Sequence, residues 1–204
     1  MRGRSRPLDR ALLAAAIVVA ISASPLSLAA HEGGSAAGLF AGLFHPVSGL
    51  DHVLAMVAVG IWGAQLGAPA IWVLPVTFPM VMAFGGMAAL LGLGLPGVEL
   101  GIGLSALLLG AMVAFEQRPD LRVAIGLVGF FAVFHGHAHG TELPEGQSGL
   151  FYSIGFVVST GLLHALGIGI GEVRRFSWGA PALRVAGGAI AIGGIWFTLG
   201  GVSG

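Results

Sequence analysis

The chain has 204 residues, of which 56% are hydrophobic and only 9% charged, against roughly 25% charged in an ordinary globular domain. Formal net charge is zero and cysteine is absent, which leaves no basic footprint for nucleic acid and excludes disulfides, thiolate metal sites and thiol catalysis. Lysine is missing as well and glycine supplies 36 residues, so the long apolar runs predict an all-α, polytopic membrane protein of closely packed helices.

At the N-terminus, Arg2, Arg4, Arg6 and Arg10 precede an apolar run from Ala11 to Ile21, followed by small residues and the polar HEGG. This is the pattern of a secretory signal peptide, with cleavage after Ala29 or after Ala30. Residues 1–30 are therefore expected to be removed, leaving 31–204 as the membrane domain. The mature N-terminus then starts outside the cytoplasm, in a bacterial inner membrane.

Six apolar segments follow: Pro46–Leu66, Ala70–Leu93, Val98–Phe115, Leu121–His139, Leu150–Gly171 and Pro181–Gly200. Each is close to the roughly 20 residues that a helix needs to cross hydrocarbon. Breakers divide them, among them Gly67-Ala68-Pro69, Leu95-Pro96-Gly97 and Arg118-Pro119-Asp120. The remaining arginines, Arg118, Arg122, Arg174, Arg175 and Arg184, fall in the loops after the third and fifth segments or at the very start of the segment that follows. With the N-terminus outside, both loops face the cytoplasm, as the positive-inside rule requires. Pro75 and Pro79 lie within the second segment and are expected to kink it. Three segments on each side of the middle loop would orient the two halves oppositely, as in an inverted repeat, although residue identities between the halves do not establish one.

Histidine carries the chemical signal. His31 stands at the new N-terminus, where an imidazole beside the free amine could capture Ni²⁺ or Cu²⁺. His45 and His52 bracket HPVSGLDH, His135, His137 and His139 form FHGHAHG, and His164 lies in LLHALG. Ionisable groups in membrane segments are costly and mark pathways or pair with one another. Imidazole with carboxylate and without thiolate suits a borderline divalent transition metal better than Ca²⁺ or Mg²⁺. On one ideal helix His45 and His52 would share a face but stand about 10 Å apart. Either His45, preceding a helix-starting Pro46, folds inward, or it serves a separate outer site. Asp51 could ligate directly or orient an imidazole. FHGHAHG permits two conformations: a helix, with His135 and His139 on one face, or a chain unwound at Gly136 and Gly140 with all three imidazoles on one side. Glu142 is an outer ligand or a solvated charge. His164, about 21 Å into its segment, would be a deeper relay.

HPVSGLDHVLAMVAVGIWGAQLG, FHGHAHGTELP and LLHALGIGIG together resemble the HupE/UreJ family, small bacterial membrane proteins associated with hydrogenase and urease, both nickel enzymes. The resemblance covers essentially the whole chain, with the first motif on His45, Pro46, Gly49, Asp51 and His52 and the second on His135, His137, His139 and Gly140. It implies a nickel permease, with cobalt as the alternative cargo, no permanently bound cofactor and a functional link to hydrogenase or urease maturation.

Two rivals remain open at this point. One is an accessory or sensor protein that binds metal without moving it. The other is a metal-dependent intramembrane enzyme, although neither an HEXXH motif nor a GxSxG elbow is present. The expectation is a transporter and not an enzyme.

Overall fold

Glycine and proline decide where this chain bends and where its helices touch. The computed structural model describes residues 34–142, 146 and 148–202; His31 and the expected signal peptide lie outside the described residues. Helices follow one another as α1 Gly34–Ser48, α2 Leu50–Leu66, α3 Ala70–Leu90, α4 Val98–Ala114, α5 Leu121–Thr141, α6 Gly149–Gly171 with a short 3₁₀ turn Glu172–Arg175, and α7 Gly179–Val202.

Among the described residues, α3, α5, α6 with its turn, and α7 are long and apolar enough to cross a membrane. A fifth span arises if α1 and α2 count as one broken segment, and α4 is apolar but has 17 residues. The chain is thus a multi-pass helical membrane protein.

The largest departure from expectation is at the start. Pro46 does not open the first helix; it is buried near the end of α1. The break comes at Gly49, whose backbone is extended (φ −97°, ψ 113°), and α1 and α2 are bent there by 81°. Both pieces nevertheless run along α6. Gly42 abuts Tyr152, Gly60 abuts His164 and Gly167, and Gly171 abuts Ala64.

The same device joins the other helices in pairs. On α5, Gly136 meets the backbone of Met82 and Gly140 meets Gly86, so α3 and α5 run parallel. Along α4 and α7, Gly103 meets Thr198, Leu107 meets Gly194 and Gly110 meets Gly187, in antiparallel order. Close backbone approach of this kind replaces the hydrophobic drive that lipid cannot supply. Gly155, Gly187 and Gly194 make contacts of this kind, whereas Gly126, Gly161 and Gly188 face open space. Taking α1–α2 as one unit, the pairing is first with fifth, second with fourth and third with sixth. It is unchanged when the first three units are exchanged for the last three.

α2 sits at the centre. Ala55, Met56, Ala58, Val59, Ile61 and Trp62 are all buried, which a helix apolar on every side requires. On α3 the opposite pattern holds: Trp72, Val76, Met80, Phe84 and Met87 recur at helical spacing and stay exposed, a stripe suited to lipid. At the far end of α2 from His52, Trp62 Nε1 donates to the Gln117 carbonyl at 2.9 Å and Gln65 Nε2 to the Val113 carbonyl at 3.1 Å. A cleft of ≈ 410 Å³ opens there, lined by Gln65, Glu116, Arg118, Glu172, Arg174 and Arg175. Arginines and histidines thus occupy opposite ends of the same central helix.

Candidate metal centre

The bend at Gly49 is what assembles the site. A continuous helix would hold His45 and His52 about 10 Å apart. With the chain broken, His139 of α5 enters between them, its ring centroid 4.6 Å from that of His45 and 4.6 Å from that of His52. His135, one turn before His139, continues the file at 4.8 Å from His52. FHGHAHG therefore keeps its helical form to Thr141. Its glycines serve the close approach of α3 and do not unwind the chain.

At the outer end, His45 Nε2 hydrogen-bonds Glu142 Oε2 at 2.9 Å, and His139 Nδ1 lies 4.0 Å from the same oxygen. The ligand atoms of His45, His139 and Glu142 all fall within 4.8 Å of one another. Ligands on opposite sides of an ion with bonds of about 2.1 Å stand about 4.2 Å apart. Small side-chain rotations would therefore close this trio on a cation, at the cost of the His45–Glu142 hydrogen bond. Glu142 is half exposed while His139 is buried, so the trio spans the step from solvent to interior.

Deeper in, two hydrogen bonds fix which ring nitrogen is free. A carboxylate only accepts, so the 2.8 Å contact between Asp51 Oδ1 and His52 Nδ1 places the proton on Nδ1. Nε2 of His52 is left buried and without a partner. Asp51 also accepts from the backbone N–H of His52 at 2.8 Å. It therefore orients the imidazole, one of the two roles open to it from sequence. Gly49 has no room for more: a Cβ there would stand 2.8 Å from Asp51 Oδ1 and 3.0 Å from His52 Nδ1.

His135 is held the same way from the other side. Ser105 of α4 donates its hydroxyl proton to the Ile102 carbonyl at 2.6 Å, so its oxygen can only accept from His135 Nε2 at 2.9 Å. That leaves Nδ1 of His135 buried and unpartnered. Both nitrogens of His139 are unpartnered as well. A buried polar atom without a hydrogen bond costs about 1–3 kcal/mol. Several in one file are what a cation-binding path needs and what a packing cluster avoids.

His137 is the exception in its motif. It donates Nε2–H to the Leu93 carbonyl at 2.8 Å, tying α5 to the α3–α4 loop, and its Nδ1 is left buried and unpartnered away from the file. His164, fully buried on α6, stands apart beyond Phe78. Ser105 and Phe78 escaped sequence reasoning. A lone serine in an apolar helix carries no mark of a histidine 30 residues away, and a phenylalanine in a membrane segment reads as packing.

Fold and site together define a multi-pass helical membrane protein with a file of histidines that ends on a carboxylate, a donor set whose chemistry would suit a divalent transition metal. The family model described as HupE / UreJ protein matches residues 17–197. Protein HupE of Rhizobium leguminosarum bv. viciae is 47% identical over 182 residues, covering 89% of this chain and 95% of the relative. The chain belongs to the HupE/UreJ family. No solved structure matches it.

Proposed function

We propose that the protein is a permease that takes up divalent nickel, with cobalt as the alternative cargo, across the bacterial inner membrane. On this reading α1–α2 counts as one span and α4 as another, giving six, with the mature N-terminus and the histidines outside and the arginines inside, in keeping with the positive-inside rule. The cation is captured by His45, His139 and Glu142, with His31 available nearby in sequence as a further outer ligand. It passes to His52 and His135, whose free nitrogens are set by Asp51 and Ser105. The observation that carries this reading is the unbroken file of imidazoles at 4.6, 4.6 and 4.8 Å, leading from a half-exposed carboxylate to a buried ring.

Ligand identity alone does not select nickel, because Cu²⁺ binds such donors more tightly; geometry and metal availability must do so. Supply of nickel to hydrogenase or urease maturation is the use that family membership suggests. The deciding experiment is uptake of radioactive Ni²⁺ and Co²⁺ by liposomes containing the purified protein. Saturable uptake supports the permease. Stoichiometric binding without accumulation would overturn it in favour of an accessory metal-binding protein.

A further inference from the structure

Beyond His135 the polar file does not stop. Phe78 of α3 is fully buried and packs edge-on against both His135 and His164, with ring centroids at 5.2 and 5.4 Å. Neither ring nitrogen of His164 has a hydrogen-bond partner. Nor does Oγ1 of Thr160, one turn earlier on the same helix and equally buried. Leaving three polar atoms unpaired in a membrane interior is expensive.

The facing helix supplies a reason. Pro79 has no N–H, so the Pro75 carbonyl four residues earlier loses its helical donor. That carbonyl lies on α3 three residues before Phe78, whose ring packs against His164. An orphaned acceptor next to an imidazole can take the proton of one ring nitrogen and turn the other outward as a lone pair, the role backbone carbonyls play behind metal-binding histidines.

We propose that His164 is the ligand of a second, inner site for a divalent transition cation, oriented by the Pro75 carbonyl, supported by the Thr160 hydroxyl and separated from the outer histidines by the Phe78 ring. This rests on the permease reading. One imidazole and neutral oxygens make a weak site, which is what a path needs at the step where the ion must leave. Passage from His135 requires the Phe78 ring to swing aside. Pro79 then has a use in the path: it frees a carbonyl at the depth where an acceptor is needed.

The test exploits the absence of cysteine from the natural chain. Purified His164→Cys protein, titrated with Cd²⁺, is expected to develop the ultraviolet charge-transfer band of a cadmium thiolate, which the parent protein cannot show. In parallel, His164→Leu in liposomes should take up Ni²⁺ with a maximal rate lowered about tenfold, while the half-saturating concentration stays within about twofold, since capture is left to the outer ligands. Pro79→Ala, which returns a donor to the Pro75 carbonyl, should lower the rate in the same direction. Absence of the cadmium band overturns the inner site, even if outer-site variants still lose uptake. A band in the variant together with no Ni²⁺ uptake by the parent protein would leave the inner site standing and overturn the permease reading instead.

Discussion

Ser105 on α4 and His135 on α5 are joined by a 2.9 Å hydrogen bond whose direction is set by a third group, the Ile102 carbonyl that takes the serine proton. The serine thereby decides which nitrogen of a buried histidine is free. Ser105→Ala should leave the fold intact and weaken Ni²⁺ binding by about 10- to 100-fold, the usual effect of losing a group that orients a metal-binding histidine. Equilibrium binding to the detergent-purified protein measures it, and unchanged affinity would remove His135 from the path.

His52→Ala and Asp51→Ala should abolish uptake while the protein still inserts. The first removes a lone pair and the second the acceptor that exposes it. Asp51→Asn retains an acceptor oxygen and should keep part of the activity. Uptake normalised to membrane-inserted protein separates these cases.

Gly136→Ala should destabilise the α3–α5 pair, because a Cβ there would overlap the Met82 carbonyl, which is backbone and cannot step aside. A cost of about 1–3 kcal/mol follows from overpacking of this kind. Gly126→Ala on the same helix meets nothing within 4 Å and should be neutral. Thermal unfolding of the two variants in one detergent makes the comparison.

Uptake should fall as external pH drops through the imidazole range. A cation binds neutral imidazole, whose unperturbed pKa is about 6.5, so added protons compete with it. The sign follows: acid lowers apparent affinity, and excess Ni²⁺ restores the rate. Initial rates against external pH, at low and saturating metal with internal pH fixed, test this. Acceleration by acid at both concentrations would indicate proton-driven transport.

A reporter fused after Gly204 should be active outside the cytoplasm and one fused at Arg175 inside. The reverse would turn the histidine file toward the cytoplasm and make the arginine-lined cleft external.

Much of this was legible in the residues. Charge deficit and breakers marked the helices from Ala70 onward to within a few residues, and the two histidine motifs fell on side chains that the fold brings together. The first helix was not legible. Residues 34–43 carry no charge and follow directly on the apparent leader, and Gly42 declares its purpose only against the Tyr152 backbone on α6. Proline at a helix start is the better prior, so Pro46 pointed the wrong way. Sequence spacing likewise could not tell that one nitrogen of His137 would engage a loop carbonyl away from the file, because a helix and an unwound strand give its three-histidine motif opposite sidedness.

The order in which the helices pair is unchanged when the halves are exchanged, yet the halves do not pack alike: α2 is central and lies against α3 and α4, whereas its unbroken counterpart α5 has no comparable contact with α6 or α7. The two ends differ in decoration as well: imidazoles and Glu142 at one, guanidinium groups at the other. For a permease, the side chains at each end then decide which face captures the cation, while the gradient decides which way it travels.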